Sequence, residues 1–549
     1  MFKFNKKWIY FPLLFVLFTG FLKSDDDFYF QLSKSIDIFG EVYKLVSTTY
    51  VDNINPEELM TAGIDGMLSS LDPYTVFIEK AEKGDIDLIT TGKYGGIGAT
   101  IGIRNDKITI LELIEGYSAQ RQGIRIGDVV TKINNMELTK ENYNSFGKQI
   151  KGEPGSTIIL SVKRNGVDEE LTFSLVREEI EIKNVSYYGF LSESNGIAYI
   201  KLSSFSLTAG EEVRKAIIDL RNKTKINSIV LDLRGNPGGL LDAAIDVSEK
   251  FLKKGQLVVT VKGRDSLNTK SYYSQEEPIA GDIKLMVLVD NGTASASEIV
   301  AGAIQDHDRG VILGTQSFGK GLVQTILSLP YKTSLKITTA KYFTPSGRCI
   351  QKIDYSKNNA VLSSEIDFEK AEFLTDSQRK VFSAGGILPD SIVNNDSNSK
   401  IINDLLARGI FFNYASYLQN INSLPKNSES DEQIYKEFVS YLQKEKIDFK
   451  SNIETSLLDL KNEIKDEKLD SSFTNQIESL LSKSKMLKNS ELKKYKNEIV
   501  SKIKEEFVLR KEGRNGRIRE SLKDDIQIIS TINILNNKKL YDHFLYSHN

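Results

Sequence analysis

A chain of 549 residues exceeds what one ordinary hydrophobic core organises, so three or four folded units are expected. Its net charge of -2 gives no electrostatic case for nucleic acid, and its apolar share is that of a soluble globular protein. One cysteine, Cys349, excludes an intrachain disulfide and a cysteine-rich zinc site.

At the N-terminus Lys3, Lys6 and Lys7 precede an apolar run from Trp8 to Leu22, and the chain turns acidic at Asp25, Asp26 and Asp27. A basic flank followed by a short apolar run is the pattern of an export signal. Thr19 to Leu22 fit a small-x-small cleavage site poorly, no cysteine is nearby, and the run is short for a span of ~20 residues. A signal peptide and a retained membrane anchor over 1–24 therefore stand as equals. Both put the rest of the chain in the periplasm or cell envelope.

Residues 25–92 read as an N-terminal helical region. Leu32, Ile36, Phe39, Tyr43, Val46 and Tyr50 keep a helical spacing. Asn55-Pro56 opens a second helix carrying Leu59, Ala62, Met67 and Leu71, which Asp72-Pro73 closes. Both suit packing or docking, and nothing in them suggests chemistry.

Residues 93–177 change character, with short alternating strands and many glycines. Ile101 and Ile103, then Ile108 and Ile110, alternate as half-buried strands do. Ala119–Asp128 reads as a short helix, a stop at Gly123 and a turn at Gly127-Asp128 into the strand Val129–Ile133. A helix near Tyr143–Ile150 precedes Ile158, Leu160 and Val162 in alternation. This order resembles a PDZ domain of the bacterial type. The resemblance implies that the backbone of Tyr94, Gly95, Gly96, Ile97 and Gly98 holds a peptide's terminal carboxylate, and that the next strand accepts the peptide by edge addition.

From 178 to 398 strands and helices alternate, which argues α/β. Ile197–Leu202 is a strand, 208–222 a helix, and Ile229–Leu233 a buried strand ending in Arg234-Gly-Asn-Pro-Gly-Gly239. Leu285–Val289 runs into the turn Asn291 to Ala294 and a hydroxyl cluster opening a helix. Residues 399–549 shift to Lys, Glu, Asn and Ser, with apolar stripes at Ile453, Leu457, Leu460 and Ile464 and at Leu492, Tyr495, Ile499 and Ile503. This C-terminal helical region is expected to pack on itself.

A serine at the mouth of a strand-to-helix turn suits a nucleophile, because the helix start supplies N–H groups and a positive dipole end for an oxyanion. Thr293, Ser295 and Ser297 compete for that part, and spacing does not choose among them. Ser295 with Glu298 also reads as a capping box. Of three histidines, His543 and His548 sit in a polar tail, and His307 is twelve residues along the same helix. At the usual rise that is roughly 18 Å away. The candidate base is Lys320, flanked by Gly319 and Gly321. A lysine takes a serine proton only when neutral, so it must be desolvated. In an extended segment Gln324 shares its face and can orient the amine without fixing its charge.

Gly314-x-x-x-x-Gly319-Lys320 nearly spells a phosphate-binding loop, but Gly321 replaces the magnesium-holding hydroxyl and Leu322–Leu327 reads as a strand. A P-loop-like nucleotide binder thus fails on two counts. Cys349 reads as a structural thiol, and Asp306, His307 and Asp308 as a solvated helix end rather than a metal pair.

The stretches 232–239 (DLRGNPGG), 290–299 (DNGTASASEI), 317–324 (SFGKGLVQ) and 385–390 (GGILPD), with the PDZ-like segment, resemble a C-terminal processing, or tail-specific, protease. The resemblance covers roughly residues 30–395. It implies an α/β crotonase-like (ClpP-like) core beside a PDZ domain, with N- and C-terminal helical regions. It implies Ser295 as nucleophile, Lys320 as general base, Gln324 as the residue orienting that lysine, and the N–H groups of Gly239 and Ala296 as oxyanion hole. No cofactor or metal is implied. The partners implied are protein or peptide substrates with accessible C-termini, with an adaptor protein and a homodimer as weaker carry-overs. A catalytically inactive PDZ scaffold is the alternative, and it would be expected to have lost Ser295 or Lys320.

Overall fold

The computed structural model describes residues 25–79, 91–104, 106–139, 142–265, 269–353, 355, 371–383, 385–394, 400–425, 429–447, 452–466 and 471–546. The export segment 1–24 and His548 lie outside the described residues. The chain forms two units. The smaller takes Met1–Lys80, Gln324–Thr338 and Tyr355–Ser364, and the larger takes Ala81–Val323, Thr339–Asp354 and Glu365–Asn549.

In the smaller unit the helices run Asp25–Thr49 and Pro56–Leu68. Asn55 caps the second, its side chain accepting the Glu57 N–H at 3.0 Å, and Glu57 and Glu58 face the positive dipole end. That helix stops before the expected Asp72-Pro73. The Asp72 carboxylate instead takes the N–H groups of Tyr74 and Thr75 at 2.8 and 2.9 Å, and the strand Val76–Ile78 follows. It pairs antiparallel with Ser334–Lys336.

The larger unit opens with an antiparallel sheet in the order Ala99–Arg104, Lys107–Leu113, Val129–Ile133, Thr157–Lys163 and Leu171–Val176. Ile108, Ile110, Ile133, Ile158, Leu160 and Val162 fill its core. Asp128, in the turn expected at Gly127-Asp128, is buried and takes both Arg164 Nε and Nη2 at 2.8 and 2.7 Å. Among the described residues the strand Ala99–Arg104 is one of the sheet's two end strands, opposite Leu171–Val176. Ile110 gives its N–H to Asp128 and accepts that of Gly127, both at 2.9 Å. It therefore turns away from Ile101, its cross-strand partner, and Ile101 directs its N–H and C=O away from the sheet, the C=O toward the Tyr143 hydroxyl.

A six-stranded sheet follows in the order Val185–Ser192, Ile197–Leu202, Ser228–Asp232, Lys284–Val289, Val311–Gly314 and Ser391–Ile392. The first pair is antiparallel and the others parallel, joined by the crossover helices Ala209–Lys223, Leu241–Glu249 and Ala296–Asp306. Alternation sorts each strand between two cores. Ile229, Leu231, Leu285, Val287 and Ile312 pack against those helices. Val230, Met286, Leu288, Val311 and Leu313 face the other way.

What covers that second face departs from the expectation of a tail packed on itself. The helices Lys400–Ala407, Ile410–Asn420, Asp431–Lys444 and Lys496–Ser521 do share a core of their own, around Phe411, Tyr414, Phe438, Ile499, Ile503 and Phe507. The last two, Ile526–Asn536 and Lys538–Tyr546, instead set Ile528, Ile534, Leu535, Tyr541 and Leu545 on the sheet. A parallel sheet needs both faces covered, and these residues supply the second cover. Among the described residues no helix is long and apolar enough to cross a membrane.

Candidate active site

The two candidate loops leave the carboxyl ends of two adjacent parallel strands, where open α/β sheets place their sites. Arg234–Leu240 follows Ser228–Asp232, and Asp290–Ser295 follows Lys284–Val289. Asn236 joins them. Its carbonyl accepts the Ala294 N–H at 3.0 Å and the Ser297 hydroxyl at 3.0 Å, and its side chain donates to Leu202 O at 2.8 Å.

The three hydroxyls are thereby told apart. Thr293 Oγ1 donates toward Leu233 O at 2.9 Å and accepts the Asp290 N–H at 2.9 Å. Ser297 is fully buried on Asn236. Both hold loops. Ser295 is half-buried and has φ 55° and ψ -115°, a strained conformation for a residue with a side chain. Such strain turns a hydroxyl out of a strand-to-helix turn while the helix N–H groups stay beside it.

Gly238 approaches this turn, and Gly239 approaches Phe205, as only glycines can. A Cβ on Gly238 (φ 97°) would stand 2.9 Å from both Ala296 N and Ser295 Cβ. A Cβ on Gly239 would stand 2.3 Å from Phe205 O. The structure thus brings the Gly238 backbone against Ser295-Ala296, and seats Gly239 beside Phe205.

Lys320 is brought to the same place through Glu298. This fully buried carboxylate accepts the Ser295 N–H at 2.8 Å and the Lys320 N–H at 2.9 Å on Oε2. Its Oε1 accepts the Gly319 N–H at 2.7 Å and the Ser317 hydroxyl at 2.6 Å. Burial pushes the Glu298 carboxyl up to about 7, against four hydrogen bonds that favour its charge. Tyr342, also buried, donates to Lys320 O at 2.6 Å and stands 3.1 Å from Ser295 O. Glu298 was legible in the sequence only as a cap for Ser295. Nothing in the sequence pointed to Tyr342.

Gln324 belongs to the smaller unit, in the strand Leu322–Ser328, and its amide donates to Thr338 Oγ1 at 3.2 Å. That strand stands where a phosphate-binding loop requires a helix. Tyr94, Gly95 and Gly96 belong to the strand Lys93–Gly96, paired antiparallel with Glu178–Glu181. Ile97 is buried and its carbonyl takes the Ala119 N–H at 3.0 Å, while Gly98 (φ 76°) leads into the edge strand. The Tyr143 hydroxyl donates to Ile101 O on that edge at 2.9 Å.

His307 closes the far end of the helix that Ser295 opens, its ring bonded to Asp376 and to Leu257 O, each at 2.7 Å. The reading of Asp306 to Asp308 as a solvated helix end is corrected. Asp306 is buried against Arg348 at 2.7 Å and Asp308 against Arg379 at 2.6 Å, because later segments fold over that terminus. Cys349 is half-buried, and burial raises its thiol.

A crotonase-like α/β core with a strained serine beside a glycine loop, attached to a PDZ domain, is a serine-type peptidase. The model of peptidase family S41 matches residues 196–361, and a PDZ domain model matches 95–175. The N-terminal domain of the activating protease CtpB matches 22–82, and the C-terminal helical domain of probable PDZ-proteases matches 401–535. The carboxy-terminal-processing protease of Bartonella bacilliformis is 38% identical over 323 residues, 58% of this chain and 73% of that protein. A probable CtpA-like serine protease of Staphylococcus aureus is 34% identical over 313 residues, 56% of this chain and 61% of that protein. The chain belongs to peptidase family S41, among the PDZ-bearing carboxy-terminal-processing serine proteases.

Proposed function

We propose that the protein is an exported endopeptidase that cuts protein substrates near their C-termini with a Ser295/Lys320 dyad. The observation that carries the dyad is the shared Glu298 carboxylate, which binds the backbones of both residues. The neutral Lys320 amine takes the Ser295 hydroxyl proton as Oγ adds to the scissile carbonyl carbon. The N–H groups of Gly239 and Ala296 receive the resulting oxyanion, supported by the close approach at Gly238 and the helix start at Ala296. The C–N bond then breaks and the Lys320 ammonium protonates the leaving amine. Water, losing a proton to the Lys320 amine, then adds to the acyl-serine carbonyl, and the Lys320 ammonium returns that proton to Ser295 Oγ as the ester C–O bond breaks. Gln324 orients Lys320 in this scheme.

The PDZ domain (93–177) selects free C-termini, with the carboxylate at Tyr94–Gly98 and the peptide added to Ala99–Arg104, whose outer position supports the role. The core at 178–398 performs the chemistry, and the regions at 25–92 and 399–549 serve for dimerisation or adaptor docking. Residues 1–24 direct export to the periplasm or cell envelope, as signal or anchor. A cleavage assay on a substrate with an apolar tail tests the proposal. Wild type cuts near the C-terminus and Lys320→Ala does not; equal cleavage by both refutes the dyad.

A further inference from the structure

The loop that carries the Gly239 N–H is rooted at Arg234, and Arg234 is held from the far end of the chain. Its Nε and Nη2 bind the two oxygens of Asp232 at 2.9 and 2.7 Å. Its Nη1 reaches Asp525 Oδ2 and Gln527 Oε1, each at 2.7 Å. Asp525 works in two directions. Its Oδ1 caps the helix Ile526–Asn536 by accepting the N–H groups of Gln527 and Ile528 at 2.9 and 3.3 Å, while its Oδ2 takes the guanidinium. Without that carboxylate, the cation would face a helix's positive end. Gln527 also donates to Val393 O at 2.6 Å, and Lys201 Nζ lies 3.4 Å from Asp232 and 3.3 Å from Arg234 O. Two cations and two carboxylates therefore close a neutral, largely buried network under the loop.

From the root the chain needs five residues to reach Gly239. Along it the Gly235 N–H is held by Asp290, Asn236 by Leu202 O and Leu240 N–H by Phe205 O. Donors aimed at an oxyanion lose much of their effect when displaced by about 1 Å.

We infer that Asp525 is a positioning residue for catalysis: by holding Arg234 it fixes the root of the oxyanion loop, so the C-terminal helix pair is part of the catalytic machinery. The inference rests on the assignment of Gly239 as an oxyanion donor. Asp525 touches no substrate, and it acts through Arg234.

The test uses the full chain with Asp525→Asn and Asp525→Glu. Asparagine caps a helix about as well as aspartate, so the first variant removes the charge and spares the cap. The readouts are kcat and KM on a peptide, active-site titration, and the affinity of a peptidyl boronate, whose serine adduct is tetrahedral and anionic. Asp525→Asn is expected to lower kcat roughly tenfold per titrated site, with KM nearly unchanged and boronate affinity falling by the same factor. Asp525→Glu is expected to recover part of both. Unchanged kcat per titrated site and unchanged boronate affinity in Asp525→Asn would overturn the inference and leave Asp525 a folding residue. A wild type that boronate fails to inhibit would instead remove the oxyanion reading beneath it.

Discussion

Ser295 and Lys320 donate their backbone N–H groups to the same oxygen of Glu298, at 2.8 and 2.9 Å. One buried carboxylate thus ties two segments that are 25 residues apart in the chain. Removing it leaves buried donors unpaired, at about 1–3 kcal/mol each, and frees both segments to drift. Glu298→Ala is expected to lower kcat by about 10²-fold with much of the fold retained. Steady-state kinetics beside near-ultraviolet circular dichroism checks this, and an unchanged kcat would sink the clamp.

The carboxyl of Glu298 also has a pH signature. Its folded-state value, pushed up to about 7 by burial, lies above the ordinary 4.5. The folded state therefore binds this proton more tightly, and the stability it contributes is present below about 4.5 and lost as pH rises through about 7. The effect is on the order of 3 kcal/mol. Melting temperature should fall more steeply between pH 5 and 7.5 in the wild type than in Glu298→Gln. Parallel slopes would place the titration elsewhere.

Ser295→Ala should remove all cleavage and all labelling by a fluorophosphonate. Ser297→Ala loses only a hydrogen bond to Asn236 O, so it should keep the label while slowing turnover several-fold. Peptide mapping of the label decides between the hydroxyls. A label on Ser297 or Thr293 would reverse the assignment.

Gly238→Ala puts a methyl 2.7 Å from Ala294 O and 2.9 Å from Ala296 N. The φ of 97° is unfavourable for alanine as well. We expect kcat to drop by about 10²–10³-fold, the scale of losing one oxyanion donor. A kinetically silent variant would show that the loop does not need this approach.

On the PDZ edge, the Ile103 N–H is available for strand addition by the same alternation that frees Ile101. Proline is tolerated where an N–H faces outward on an edge strand, so Ile103→Pro should fold. It should bind a peptide with a free C-terminus about tenfold more weakly, measured by fluorescence anisotropy. Equal affinity would mean that peptides dock elsewhere.

Much of this was legible before any coordinates, because local chemistry carries it. Asn55-Pro56 opens a helix, Gly127-Asp128 makes a turn, and the strand character of Leu322–Leu327 argued against a phosphate loop. The motifs also pointed to the neighbourhood of Ser295 and Lys320. Spacing alone did not separate Ser295 from Thr293 and Ser297, and only the resemblance favoured Ser295; the hydrogen bonds that distinguish the three depend on which hydroxyls meet Leu233 O and Asn236 O across the loops. The solvated reading of Asp306 and Asp308 failed for the same reason, as their partners Arg348 and Arg379 lie some 40 and 70 residues away.

By itself the sequence determined the order of elements, the hydrophobic alternation of the central strands and the residue types at the candidate catalytic motifs, since each depends on neighbours within a few positions. Only the tertiary structure decided what closes the second face of the sheet and what holds Arg234. Those contacts join residues nearly 300 apart, and hydrogen bonds and packing act at a few ångströms whatever the separation along the chain.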